Sequence, residues 1–242
     1  MPIELGTQTG DWSLEKSTAR LLPWGYGGAL TACVLNGIWL ACLIFLESTG
    51  DVGVQAGTHP DIFRLSVGSA ILLTFMQVPI LLAFTALVAE RDVARAAIGG
   101  LFYALYIPIN LIAYFSYGRL APMVHSPELS GESSAALVAA LVEIGHPLGL
   151  TGNLPILGYG VLGLGWCMLS TVVWHRSRLW KVAAAFLLAS GFLSVLGAVG
   201  GFINEEWLTH CCFLGGVFSL PALALLGISM WKDKAKRGHH AD

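Results

Sequence analysis

Two Glu/His pairs are the residues of this 242-residue chain best spaced for chemistry: Glu206 with His210, four apart, and Glu143 with His146, three apart. Residues at those spacings share one face of a helix. Imidazole and carboxylate together suit zinc or iron. His146 opens one long apolar run and His210 another, so these four residues fall at similar depth and make a candidate metal site. Cys212, two residues beyond His210, is expected on the other side of the helix. Gly145 and Pro147 interrupt the Glu143/His146 segment, and no H-E-x-x-H pattern is present. Solvated loop residues would read the same way. Paired-histidine haem ligation is disfavoured, because no histidine lies deep in an apolar run.

Amides are the second candidate. Asn36, Gln77 and Asn110 lie inside apolar runs, with Pro79 just after Gln77 and Pro108 just before Asn110. A helical proline frees the carbonyl one turn back, which a nearby amide can satisfy. The functional reading is a mid-membrane pocket for a polar headgroup, a quinone or a substrate. The plainer reading is hydrogen bonding between helices. The plainer one is favoured, since no acid or base lies at that depth to relay protons.

Small residues form the third pattern. Gly197 and Gly201 make a G-x-x-x-G, and Ser190, Ser194 and Ala198 extend the stripe. Gly158, Gly160, Gly163 and Gly165 crowd the preceding apolar run. Such stripes let helix backbones approach closely. They do not say whether the partner helix belongs to this chain or another.

The elements that must position these residues are membrane spans. The chain is 55% hydrophobic and 12% charged, with a mean hydropathy of +0.71. Soluble domains carry about twice that charged share. Apolar runs at about 22–46, 65–88, 96–117, 150–174, 180–203 and 208–231 are each long enough to cross a bilayer as a helix. The expected fold is an all-α bundle of six transmembrane helices, one domain over 1–242. Trp24, Trp174, Trp180, Trp207 and Trp231 at the run ends read as an aromatic belt. In the long connection after the third run, Ser133 or Ser134 is placed to cap a short helix over about 134–145. Leu137, Val138, Leu141 and Val142 give it an apolar face for the membrane surface.

Charge orients the bundle. Of thirteen Lys and Arg residues, only Arg64 and Arg119 fall in the loops opposite the termini. The positive-inside rule then puts both termini in the cytoplasm; the expected location is a bacterial inner membrane. Residues 1–20 are polar and mixed in charge, unlike a signal peptide. The basic face suits anionic lipid headgroups. No cationic cluster on a folded polar surface suggests nucleic acid. The five cysteines show no C-x-x-C and no disulfide framework.

The second half, in IGHPLGLTGNLPILGYGVLGLG and VVWHRSRLWKVAAAFL, resembles an uncharacterised bacterial six-transmembrane-helix family, a domain of unknown function. The shared features are a fourth span opened by a His and an Arg-Ser turn after it, here Arg176 and Ser177. Lys181 stands where that family's turn has a proline. The resemblance implies architecture and no chemistry.

No rhomboid-type Ser/His arrangement and no retinal-type lysine within the last span is present, so the reading leans away from an enzyme. The sequence names no cofactor. The first functional expectation is a non-catalytic accessory subunit, packing through its small-residue stripe against other membrane subunits and lipids. The second is a binder or transporter of a lipid- or quinone-like molecule near Gln77 and Asn110. The third is a metal-dependent enzyme or sensor at the end holding His210.

Overall fold

A computed structural model describes residues 14–47, 56–124, 132–142 and 149–238. Among the described residues six helices are long and apolar enough to cross a membrane: α1 (Leu14–Glu47), α2 (Pro60–Ala89), α3 (Val93–Leu120), α5 (Leu150–Val173), α6 (Arg178–Ile203) and α7 (Glu206–Gly238). A seventh, α4 (Glu132–Val142), is short. The chain is a polytopic helical membrane protein.

The helices overrun the expected spans where good helix formers flank the apolar runs. The first begins at Leu14, with Glu15 in its first turn. The last continues through KDKAKR, with Lys236 and Arg237 in its final turn. Both placements complement the helix dipole. At the basic end the turns are tight. Asp92 caps α3, accepting from the Arg95 N–H at 2.9 Å. Ser177 caps α6, accepting from the Trp180 N–H. In α4, Ser133 and Ser134 lie in the first turn, and the described helix runs to Val142; Gly145 lies outside the described residues. Val142 of α4 is buried against Phe63, Val67 and Ala121, while Leu137 is exposed.

The long helices form a closed ring. Each packs on its predecessor (α1–α2, α2–α3, α3–α5, α5–α6, α6–α7), and α7 returns to α1. The glycines set the closest approaches. A side chain at Gly165 would strike the Gly99 carbonyl of α3 at 2.9 Å, and one at Gly191 would strike the Gly163 carbonyl at 2.7 Å. The α5 glycines therefore seat that helix between α3 and α6.

The interior holds polar side chains within an apolar core, and the exterior is apolar too. Asn36, Gln77, Asn110, Ser170 and Ser190 are buried, whereas Phe192 and Phe202 are exposed. Lipid covers the apolar exterior, so apolarity alone cannot say which face is inside; hydrogen bonds and close packing decide it. Four of the belt tryptophans, Trp24, Trp174, Trp207 and Trp231, are exposed. Trp180 is not in the belt. It is 1% exposed, stacks on Phe84 at 6.3 Å, and donates from Nε1 to Asp233 at 3.1 Å.

Candidate functional site

Side chains fill the axis of the ring in four layers. At the basic end lies an ion-pair cluster. Arg176, in the turn between α5 and α6, donates to Glu90 at 2.8 Å, to Asp233 at 3.1 Å and to the Leu87 carbonyl at 2.9 Å. Arg237 donates to the same Glu90 oxygen at 2.8 Å. Burial pushes the Glu90 carboxyl up, but its hydrogen bonds from Arg237 and Arg176 outweigh that and hold it below the ordinary value. Above the cluster comes an apolar plug: the Phe84–Trp180 stack with Leu87, Leu169, Leu187 and Leu226, all fully or almost fully buried.

The amides form the next layer. Tyr103 OH donates to Gln77 Oε1 in a short hydrogen bond. Asn110 Nδ2 donates to Thr74 at 2.7 Å and to Tyr106 OH at 3.0 Å. Asn36 Nδ2 donates to Ser219 at 2.7 Å and to the Gly216 carbonyl at 3.0 Å. The amides thus tie helix to helix. Their bonds go to Tyr103, Thr74, Tyr106, Ser219 and the Gly216 carbonyl rather than to the carbonyls freed by Pro79 and Pro108. The void beside Gln77 and Asn36 is about 20 Å³. That admits one water molecule and no organic ligand. The expected pocket at Gln77, Asn110 and Asn36 is therefore a packed polar layer.

The room lies one layer further out. A cavity of about 580 Å³ opens at the end opposite the basic loops, and all six long helices contribute to it. Its volume falls in the range of small-molecule sites. The floor is aromatic. Trp39 lies 5.8 Å from Tyr159, across the ring from α1 to α5, and meets Tyr114 edge-on at 6.4 Å. The hydroxyls of Tyr114 and Tyr159 are 3.0 Å apart. Trp39 and Tyr159 also line the small void below, so they form the partition between the two spaces. Apolar walls come from Leu43, Val67, Ile156 and Phe213, and a polar mouth from Asn204, Glu206, Thr209 and His210. Among the described residues that line it there is no Lys or Arg.

The mouth is shaped by the end of α6. Asn204 adopts the left-handed conformation, φ 57° and ψ 40°, and its N–H closes on the Gly200 carbonyl. That turn aims the chain straight into α7, with Glu206 in its first turn. His210 Nδ1–H donates to the Glu206 backbone carbonyl at 2.7 Å, not to the carboxylate. Both His210 and Glu206 reach the cavity. Cys212, expected to point away, also reaches the cavity wall while donating to the Ser194 carbonyl at 3.5 Å.

His146 and Glu143, the other half of the expected metal set, lie outside the described residues. Among the described residues no three His, Cys, Asp or Glu side chains come together as metal ligands. The small-residue stripe has its partner within the chain. Ser190 Oγ donates to the Gly215 carbonyl of α7 at 2.6 Å, and a side chain at Gly197 would meet the Cys212 N at 2.5 Å. Ser194 is buried, and Gly201 faces Ile156 of α5. The stripe is thus occupied inside the bundle and lends no support to an external subunit. What sequence reasoning missed is the aromatic partition. Trp39, Tyr114 and Tyr159 sit on three separate helices with no linear spacing to connect them.

No family model, no curated protein and no solved structure matches the chain.

Proposed function

We propose that this protein binds an amphipathic small molecule in the cavity at its far end. The observation that carries the reading is the cavity itself: about 580 Å³, aromatic at its floor, apolar on its walls and polar at its mouth. Such sites bury an apolar body and orient it with a few polar groups. The buried plug of Phe84, Trp180 and Leu87 between cavity and basic end supports a binding role over a through-channel. An accessory role keeps one support, the lack of ionisable acids or bases at mid-membrane depth, and has lost the small-residue stripe.

We further propose that the basic end faces the cytoplasm of a bacterial inner membrane. The Lys/Arg distribution supports the orientation, and the resemblance of the second half to a bacterial family supports the compartment.

Native mass spectrometry of protein extracted in mild detergent tests the binding reading. The wild type is expected to carry a bound molecule of lipid-like mass. Thr209→Trp, which places an indole in the mouth, is expected to lose it, while Gln77→Leu keeps it. A wild-type chain without adduct, or an adduct indifferent to Thr209→Trp, would refute the reading.

A further inference from the structure

We infer that the cavity selects an amphiphile whose polar head is an organic cation, an ammonium or phosphonium type rather than a neutral or anionic head. This rests on the binding reading above and specifies its ligand. Three observations converge on it.

The first is the composition of the lining. Trp39, Tyr114, Tyr117, Tyr159 and Phe213 bring five aromatic rings to one space. Aromatic faces carry negative potential and attract organic cations, most strongly where water is displaced; grouped rings are how quaternary ammonium heads are commonly held. Trp39 and Tyr114 are each 7% exposed, so neighbouring groups hold the rings in place and leave only part of each turned to the cavity. They meet edge-on at 89°, which fixes their relative orientation at the floor.

The second is the sign of the charge at the mouth. Among the described lining residues, Glu206 is the carboxylate at the mouth, and it is negative. An anionic head would meet that carboxylate with no Lys or Arg in the lining to offset it. A neutral head could hydrogen-bond to it but would gain no charge attraction.

The third is the field of the whole end. Among the described residues, the helix ends on this side contain Glu47, Asp61, Glu132, Glu205 and Glu206 against Arg64 and Arg119. Arg64 is paired with Asp61 at 3.6 Å on the exposed surface. A cleft in a surface of one sign concentrates counter-charged solutes and speeds their capture. The opposite end is basic, so the bundle is polarised along its axis, and a cation approaching from the far end is drawn to the cavity side alone.

The test uses tetraphenylphosphonium and tetraphenylborate, two hydrophobic ions of closely matched shape and opposite charge, titrated calorimetrically into the full chain in neutral detergent. Thr209→Trp protein is the control for partition into the micelle. The expected result is saturable one-to-one binding of tetraphenylphosphonium that Thr209→Trp removes. Glu206→Gln should weaken it about threefold and Trp39→Leu about tenfold. Raising the salt concentration should weaken the wild type more than Glu206→Gln, which a merely structural role for Glu206 would not do. Tetraphenylborate should give the same heats with the wild type as with Thr209→Trp. Equal saturable binding of both ions overturns the charge selection while leaving a cavity that binds amphiphiles. Absence of saturable tetraphenylphosphonium binding overturns it as well, and the co-purification experiment then decides separately whether the cavity holds an amphiphile at all.

Discussion

Arg176 reaches Glu90 at 2.8 Å from the turn between α5 and α6, on the opposite side of the ring from the end of α2. With Asp233 and Arg237 the pair joins α2, the α5–α6 turn and α7 in one cluster whose side chains are 11–21% exposed. Trp180 adds α6 through its bond to Asp233. A cluster that bridges non-adjacent members ties the closed ring across its axis at one end, beyond the contacts between neighbouring helices.

Removing Arg176 leaves two carboxylates facing each other with Arg237 alone to compensate. Arg176→Met is expected to cost about 2–3 kcal/mol, below the value for a fully buried pair because water reaches the cluster's edge. Arg176→Lys should recover little, since a single ammonium cannot fork between Glu90 and Asp233. Thermal unfolding in detergent checks this. An unchanged midpoint for Arg176→Met would show that the cluster does not hold the ring.

The same cluster sets a dependence on pH. The Glu90 carboxyl is held below its ordinary value in the folded chain. A depressed carboxylate contributes stability that is fully present above its unfolded pKa, about 4.3, and is lost as pH falls through the folded one. The unfolding midpoint of the wild type should therefore fall as pH drops below about 4. Glu90→Gln should start lower at neutral pH, and its gap to the wild type should narrow on acidification. A gap that stays constant from about pH 7 to about pH 3.5 would rule out this linkage.

Much of the fold was legible in the sequence, and the reasons are physical. Six apolar runs of span length report a local property, and local properties survive in a linear string. The bundle's interior did not. Arg176 reads as one more solvated cation because its partners are 86 and 57 residues away. Trp180 reads as a belt residue because it sits at a span end, as belt residues do. Gln77 and Asn110 read as polar positions within apolar runs, and each is hydrogen-bonded to a hydroxyl on a neighbouring helix. The cavity could not be read off, because it is made by space between Trp39, Tyr114 and Tyr159 rather than by any run of letters.

Gly197 tests where the small-residue stripe is used. A side chain there would meet the backbone N of Cys212 at 2.5 Å, whereas one at Gly201 would meet the Ile156 side chain at 3.0 Å. Backbone cannot yield as a side-chain end can. Gly197→Leu is expected to lower folded yield and unfolding midpoint sharply, and Gly201→Leu much less, both without change in oligomeric state. An intact chain released from a larger complex by Gly197→Leu would instead place the stripe against another subunit.

Asn204 holds the corner beneath the cavity mouth in a left-handed conformation. Asn204→Gly should be tolerated, because glycine enters that region freely. Asn204→Val should cost about 1–2 kcal/mol, since a branched Cβ clashes with the carbonyl there. If α7 loses its aim at the corner, Asn204→Val should also weaken tetraphenylphosphonium binding although the residue carries no charge. Equal stability of the two variants would show that the turn carries no strain.

Orientation is tested last. Arg176 and Arg237 are spent in the cluster, yet nine of the eleven cations at the basic end lie outside it, against Arg64 and Arg119 at the other end. The bias toward a cytoplasmic basic end therefore survives the discount, since acidic residues count little in the rule and the loops are short. A single cysteine placed at Gly131, between α3 and α4, should react with a membrane-impermeant maleimide in intact cells above the wild-type background. One placed at Gly238, at the end of α7, should react only after the cells are opened. Labelling at Gly238 from outside would invert the bundle. It would put the cavity mouth, with Glu206 and its aromatic floor, on the cytoplasmic side and its cationic ligand inside the cell.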